Sequence, residues 1–553
     1  MSIVKKEIKN KGENMSNRYL NRIVIVIFLA IASYSYLAAE NCSTNSSDCC
    51  PKSNDTSCYC LSRTIFVPRS ISQDSVYELA SNFYNTYYAQ KNSKNTEKSN
   101  NNPKELALTK EGDNDRAFSF YFAYNWLFQK SNSSEELAKY FLPGCQKSIY
   151  CAEDGSGDIN PLWFNVIGKP LDQTTTTGDQ QENPQLKFYR SRISICPERK
   201  TFGAQFYLNG YITDYLWARI NTAIIYATHE LHLCESNRQG EGAIEDFENM
   251  IDGLRNPDLC FQKFCPVKQE RLGLDDIQFK LGYDFLLNDD YHLALYLRGT
   301  APTGRRPNNK NIFEPIVGTR HGAFGAGINA SYLFYESNDR LFYGLFDVSY
   351  SYAFKGNELR SFDLTQNGDW SRYLQVVSQN EPRNSIPATQ LLTIDAQVTP
   401  RDTAQLFAAV HCQSGSWNGE LGYNLWWRNS EKVCICKELP NGYGIFDFNS
   451  ICTQDTTTAS KAEIQQGFGN DLIHTYKPVK SDDTFISIKA SDMNPLSAAH
   501  PRALSNKIYG IINYDFNFFD NFATLGLGGS YEFGKDLAAM SQWGLWLNCG
   551  CSL

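Results

Sequence analysis

Long runs of alternating apolar and polar residues constrain this chain more than any other feature of its sequence. In 277–287 the odd positions carry Ile, Phe, Leu, Tyr, Phe and Leu, whereas the even positions are mostly polar. The same period of two recurs in 324–334, 342–354 and 524–533. Because successive side chains of a strand point to opposite faces, each run predicts a strand with one apolar and one polar face.

The length of these runs distinguishes between two kinds of β protein. A soluble β-sandwich also alternates, but its strands usually have about five or six residues. The runs here have ten or more residues, which is the length that a strand needs to cross a membrane. Short connections at 288–290, 336–340, 398–402 and 518–521 alternate with long ones at 300–320, 355–387 and 491–505. We therefore predict an all-β fold, a transmembrane antiparallel up-and-down β-barrel with short periplasmic turns and longer external loops.

The number of strands follows less directly from the pattern. Strands are predicted near 116–128, 186–196, 201–211, 216–232, 275–287, 290–300, 321–335, 341–354, 389–398, 403–411, 418–428, 483–490, 506–516, 521–533 and 541–553, with another around 137–142. A single-chain bacterial barrel has an even number, so we expect about 14–16 strands. The long segment 429–482 then falls on the short-turn side, unless it holds two more strands at 442–448 and 472–477.

The N-terminal region predicts export and a separate small extension. An apolar run at 23–37 follows several basic residues and precedes Ala38-Ala39, the pattern of a cleaved signal peptide. An uncleaved N-terminal anchor helix is the alternative. Residues 91–115 are Lys, Asn and Ser with few apolar side chains, a composition that predicts disorder. The predicted organisation is a signal peptide over 1–39, a periplasmic Cys-rich extension over 40–90, a disordered linker over 91–115 and the barrel over 116–553.

Charge and cysteine content limit the partners and the compartment. After residue 39 the chain holds 46 Lys and Arg against 58 Asp and Glu, a balance that argues against nucleic acid as a partner. All 17 cysteines lie beyond residue 39, where disulfides can persist. Five of them, within 42–60, predict a disulfide-stapled head, with a metal-bound knot as the alternative. Cys234, Cys260 and Cys265 bracket a predicted helix at 240–256 and suggest a disulfide-clamped loop at the barrel mouth.

The polar faces of the predicted strands carry the candidate functional residues. The predicted lumen-lining set is Arg219, Lys280, Asp284, His292, Arg298, Asn329, Asp347, Glu420, Asn424, Arg428, Asp515 and Glu532. Charges of both signs facing a lumen favour the passage of small polar solutes. The alternative is that these side chains pair with one another and fill a closed barrel.

Catalytic motifs are weak by comparison. His229-Glu-Leu-His232 lies in a strand-like run, where the two imidazoles cannot chelate a metal as a helical pair does. His292, His321, His411 and His474 are the bases that an outer-membrane hydrolase could use. We expect no catalytic residues, cofactor or metal, and an outer-membrane hydrolase is kept as an alternative.

Two stretches resemble outer-membrane porin-like and transport barrels of Gram-negative bacteria. Residues 298–304 end a strand in Pro302-Thr303-Gly304, and the chain returns through 313–318. The run 541–553 resembles the C-terminal assembly strand of such barrels, although it ends in Leu553 instead of Phe. The resemblance implies a passive or substrate-selective pore in the outer membrane, with lipid and the barrel-assembly machinery as partners. A non-conducting surface-display barrel and a soluble secreted β-protein are the alternatives.

Overall fold

A computed structural model describes residues 61–80, 119–445 and 487–552. The gaps within these ranges are 133, 154–155, 165, 167–188, 214, 240–246, 266, 288–289, 338–339, 519–520 and 535–537. The predicted signal peptide, the cysteines within 42–60, the predicted linker 91–115 and the predicted strand at 472–477 lie outside the described residues.

Twelve antiparallel strands form one closed barrel, which confirms the predicted fold. They are β1 (Ser119–Ser131), β2 (Glu198–Tyr211), β3 (Leu216–Glu230), β4 (Ile277–Leu287), β5 (Tyr291–Ala301), β6 (Ala323–Ser337), β7 (Arg340–Ala353), β8 (Arg401–Ser414), β9 (Trp417–Arg428), β10 (Ala503–Phe518), β11 (Asn521–Gly534) and β12 (Gln542–Ser552). Each strand pairs with its neighbours in sequence, and β1 closes the ring by pairing with β12. The topology is therefore up-and-down, with no free sheet edge around the ring.

The strand number of 14–16 was wrong because three predicted strands lie outside the barrel. The segments at 186–196 and 389–398 contribute short strands to small sheets in the long connections. The described end of 483–490 leads into a 3-10 helix, and the added segment around 137–142 belongs to a helix. Sheets outside the membrane alternate in the same way as barrel strands, so periodicity alone did not separate them.

The two ends of the barrel differ strongly. At the end that holds Ser119 and Ser552, short turns join β2 to β3, β4 to β5, β6 to β7, β8 to β9 and β10 to β11. At the other end, longer connections span 132–197, 231–276, 302–322, 354–400, 429–502 and 535–541. The turn at 398–402 belongs to this long-connection end, and so does the segment 429–482. With twelve strands, the long segment 429–482 no longer falls on the short-turn side, where the larger predicted strand number had placed it.

The long connections fold together into a layer over the barrel mouth, which we call the loop layer. Its strands are Ser148–Ala152, Arg190–Ser194, Cys234–Gln239, Gly356–Ser361, Asp363–Leu364, Gln375–Ser378, Glu381–Pro387, Thr393–Thr399, Lys432–Ile435, Tyr443–Ile445 and Met493–Asn494, while Gln269–Leu274 extends the barrel wall beside β3. Its helices are Ser134–Phe141, Met250–Leu254 and Thr389–Leu392, with 3-10 turns at Pro143–Cys145, Pro161–Phe164, Pro257–Leu259, Ser371–Tyr373 and Ala490–Asp492. A hydrophobic core that includes Trp163, Trp370 and Tyr373 holds the layer together.

One predicted feature of the loop layer is wrong and another is shorter than expected. The helix expected over 240–256 is Met250–Leu254 in the described residues. Cys234, Cys260 and Cys265 carry free thiols, so the expected clamp does not join them. Instead, the 260–265 turn is tied to the 302–322 connection by backbone hydrogen bonds. No helix in the described part of the chain is long and apolar enough to cross a membrane.

Candidate functional site

The inner face of the barrel wall is polar and closely packed. The twelve residues predicted to line the lumen all lie on this face, and each exposes less than a tenth of its surface. Asp284 accepts a hydrogen bond from Trp217 Nε1 at 2.8 Å and lies 3.0 Å from His292 Nε2. Asp347 accepts from Tyr296 OH at 2.9 Å. At the level of these residues, side chains fill the lumen.

A separate part of the chain, residues 61–80, runs from the loop layer into the centre of the barrel, and we call it the plug segment. Tyr77 OH accepts from Gln129 Nε2 on β1 at 2.8 Å. Ser75 Oγ donates to Gln405 Oε1 on β8 at 2.7 Å. Because β1 and β8 lie on nearly opposite sides of the ring, these contacts place the segment across the lumen. The segment contains one short helix, Ser75–Leu79.

The first residues of the plug segment belong to the loop layer. Ser62 N donates to Asp369 Oδ2 at 3.0 Å, and Ser62 Oγ donates to Phe141 O at 2.7 Å. The Phe66 ring packs edge-on against Tyr140, with centroids 5.3 Å apart. The described part of the predicted extension therefore runs from the long-connection end into the lumen, and not along the short-turn end where we expected the extension.

Glu78 anchors the plug segment to one side of the wall. Lys280 Nζ on β4 lies 2.6 Å from both carboxylate oxygens of Glu78, and Arg219 Nη1 on β3 lies 4.0 Å from Oε1. All three side chains are buried. A buried charge is costly unless it is paired, so Glu78 supplies a counter-charge that these two wall cations need.

A second ionic cluster anchors the segment to the opposite side. Arg69 Nη2 lies 3.2 Å from Asp74 Oδ1 within the segment. On the wall, Lys507 Nζ lies 3.1 Å from Glu532 Oε2 and also bonds Asp74. The cluster combines two charges from the segment with two from β10 and β11, and all four side chains are almost fully buried. Ion pairs on two sides therefore fix the position of the plug segment.

An acidic pair at the outer rim links the plug segment to both the wall and a loop. Asp275 and Asp276 stand between the strand Gln269–Leu274 and β4. Asp275 accepts from Ser70 Oγ at 2.9 Å and from Ser72 N at 2.8 Å. Asp276 accepts from Thr319 N at 2.6 Å. Adjacent carboxylates thus hold the segment and the 302–322 connection at the same place.

The outer face of the wall is apolar. Phe279, Leu281 and Leu297 leave 44%, 45% and 51% of their surface exposed, although their neighbours in sequence point into the packed lumen. Aromatic side chains such as Trp126, Tyr350 and Trp417 are exposed on the same face. An apolar belt around a closed barrel requires a lipid environment. The chain is a twelve-stranded transmembrane β-barrel.

Comparison with known proteins gives matches to this barrel. The family described as "Putative MetA-pathway of phenol degradation" matches residues 186–389. The COG4313 outer membrane channel from Pseudomonas putida F1 shares 8% identity at a TM-score of 0.31, over 81% of this chain and 100% of that one. A Pseudomonas aeruginosa FadL homologue shares 8% identity at a TM-score of 0.25, over 79% of this chain and 89% of that one. No curated protein sequence matches the barrel significantly.

Several inner-face residues that contact the plug segment were not predicted. Lys507 shares the inward parity of Asp515 on β10, so alternation alone was sufficient to find it. Gln405 has the same parity as His411 on β8. By contrast, nothing in the local sequence marks Glu78, because its partner Lys280 is 202 residues away.

The described histidines of the hydrolase alternative, His292, His321 and His411, are buried. His321 Nδ1 faces Phe354 O at 2.9 Å and its Nε2 faces Glu358 Oε1 at 3.0 Å. His411 Nδ1 lies 3.2 Å from Glu420 Oε2 and is fully buried. His229 stacks on Phe313 at 4.2 Å, whereas His232 is largely exposed beside Glu230. His474 lies outside the described residues. Apart from His232, the described histidines therefore lie in packed positions of the wall and the loop layer.

The burial of Asp369 in the loop layer gives a testable dependence of stability on pH. Burial, together with the neighbouring Asp363 carboxylate, raises the pKa of Asp369 from 3.8 to about 6. Between these values the unfolded chain loses the proton while the folded chain keeps it, so stability falls as pH rises from 3.8 to about 6. We expect Asp369→Asn to stabilise the protein at pH 7 by roughly 2–3 kcal/mol, with the gain vanishing near pH 4.

Thermal unfolding of the two proteins from pH 4 to pH 7 measures this difference. Asp395→Asn, which changes an exposed carboxylate of the same layer, is the matched control and should run parallel to wild type. A constant difference between Asp369→Asn and wild type across this range contradicts the assignment.

Proposed function

We propose that this protein is a gated outer-membrane channel for small polar solutes, and that the plug segment is its gate. The observation that carries the proposal is the way in which the segment is held. In the described part of the chain, no backbone–backbone hydrogen bond joins residues 69–80 to a barrel strand. Its side chains make the ion pairs to the wall, so the segment can leave the lumen without breaking the sheet.

The chemistry of the wall supports polar solutes. With the plug segment displaced, Lys280, Arg219 and Lys507 lose their acidic partners Glu78 and Asp74 and face the vacated space. Acidic side chains such as Asp347 and Glu420 line the same wall. A lumen with fixed charges of both signs admits water and small polar molecules and sets selectivity by charge. Membrane lipid around the apolar belt and the barrel-assembly machinery complete the proposed partners.

Planar-bilayer recordings test the proposal. The purified wild-type barrel should remain mostly closed, with rare openings. A variant in which residues 69–80 are replaced by a Gly/Ser stretch of equal length should show steady ionic conductance. Correct assembly of both proteins is checked by heat-modifiable migration on gels. Silence of both well-assembled proteins rejects the channel.

Silence in that experiment favours a surface-display barrel, for which the loop layer is the supporting observation. This layer has its own hydrophobic core and several small sheets, so it can present a stable binding surface. The second proposal predicts that shortening a long connection abolishes partner binding and leaves barrel assembly intact.

A further inference from the structure

A small pocket lies where the plug segment meets the barrel wall near the long-connection end. Arg69 lines it from the plug segment, Arg199 from β2, Trp426 from β9 and Glu532 from β11. Apolar side chains, including Phe66 and Met540, close the remaining sides. The pocket has room for a guest of roughly water or halide size.

The pocket contains hydrogen-bond donors that have no acceptor. Arg199 Nε, Arg69 Nε and Trp426 Nε1 are buried and have no hydrogen-bond partner among the described residues. The three residues expose 4%, 6% and 5% of their side-chain or residue surface, respectively. Since buried donors are normally satisfied, the pocket is suited to a guest that accepts hydrogen bonds.

Charge specifies the guest further. Neither Arg199 nor the nearby Arg428 has an ion-paired carboxylate among the described residues. The guanidinium groups of Arg69 and Arg428 lie 5.6 Å and 5.7 Å from the Trp426 ring centroid, so two cations pack against this indole. A neutral water can accept hydrogen bonds here, but it leaves the buried positive charge unbalanced.

The acidic groups of this region are already engaged. Glu532 accepts from Ser505 Oγ at 2.6 Å and from Gln542 Nε2 at 2.9 Å, and it pairs with Lys507 at 3.1 Å. Asp74 pairs with Lys507 and Arg69. Asp275 is held by Ser70 and Ser72. These carboxylates therefore leave the Arg199 charge without a direct partner.

We propose that the pocket binds a small monovalent inorganic anion of halide size, held by Arg199, Arg69 and the Trp426 indole N–H. The anion touches the plug segment through Arg69 and the wall through the other two residues. It thereby adds a contact that exists only while the plug segment is docked. Binding to this state stabilises it by mass action, so the anion favours the closed barrel.

Thermal unfolding of the full-length protein in detergent tests the proposal. Chloride or bromide replaces gluconate at constant ionic strength, because gluconate is too large for the pocket. Wild type should show a saturable rise in unfolding temperature with either halide. Arg199→Gln should abolish the response, and Trp426→Phe should shift its midpoint to roughly tenfold higher halide, since it removes one hydrogen bond to a charged group. Arg271→Gln, which changes an arginine that pairs with Glu314 and does not line the pocket, is the control and should respond like wild type.

A second measurement keeps the test independent of variant folding. Crystals of the wild-type protein soaked in bromide should show an anomalous peak beside Arg199 and Trp426. An unfolding temperature that is the same in chloride and gluconate, or a wild-type response in both pocket variants, overturns the proposal. Absence of bromide from the pocket in well-diffracting crystals also overturns it.

Discussion

The Glu78→Gln variant is expected to open the barrel. This change removes the carboxylate that pairs with Lys280 at 2.6 Å and lies beside Arg219, while leaving the side-chain volume nearly unchanged. Breaking a buried ion pair from one side costs about 3–5 kcal/mol, because the remaining charges stay buried without compensation. The ratio of undocked to docked plug segment should therefore rise by roughly two orders of magnitude or more. Open probability in planar bilayers measures this rise.

Glu420→Gln is the matched control for that variant. Glu420 is also a buried glutamate of the inner face, but its partners His411 and Tyr509 belong to the wall. It should lower stability without a comparable rise in open probability. Replacing both members of the pair, as in Glu78→Met with Lys280→Met, should restore much of the docking, since well-packed apolar residues replace buried pairs at little cost. Equal open probabilities for Glu78→Gln and Glu420→Gln reject this role for Glu78.

The Gly528→Val variant should fail to assemble a normal barrel. Gly528 on β11 faces inward, and a Cβ built there comes 2.3 Å from ring atoms of Trp546 on β12. Trp546 is 2% exposed and packs edge-on against Tyr77 of the plug segment, with centroids 5.2 Å apart. The added side chain must push the indole towards the plug segment, and overpacking of this kind costs about 1–3 kcal/mol or more. Loss of heat-modifiable migration is the expected result.

Two control variants test whether the lack of space around Gly528 causes the defect. Gly419→Ala on β9 adds a methyl group whose nearest neighbour is Ile511 O at 3.7 Å, and it should migrate like wild type. Combining Gly528→Val with Trp546→Ala exchanges the volumes and should recover assembly. Normal migration of Gly528→Val alone contradicts the steric argument.

The barrel strands were predictable because their two environments differ so strongly. In β4, for example, one face meets lipid and the other meets a polar lumen. Apolar and polar residues therefore alternate along the strand, and this alternation is visible in the sequence of a single chain. The same rule also gave false barrel strands, since the loop-layer strands Arg190–Ser194 and Thr393–Thr399 alternate between the hydrophobic core of that layer and its surface. The inward parity of residues such as Asp347 and Glu420 could likewise be read from sequence, whereas their partners could not.

The plug segment shows what sequence periodicity cannot supply. Residues 69–79 include one short helix, Ser75–Leu79, and are held by contacts to β1, β4, β8, β10 and β11. Their partners come from strands distributed around the ring, so no local repeat records them. The segment has polar and charged residues with no amphipathic period, a pattern that is typical of a solvent-exposed loop. Its residues are buried because the closed barrel surrounds them.

The way in which the plug segment is held bears on the order of events during biogenesis. Ser75 and Tyr77 contact strands on nearly opposite sides of the ring, and the seam between β1 and β12 completes that ring. Among the described residues, no backbone–backbone hydrogen bond joins residues 69–80 to a barrel strand. Pairing of the strands and docking of the segment are therefore separate steps, and closure of the seam does not depend on the segment being in place.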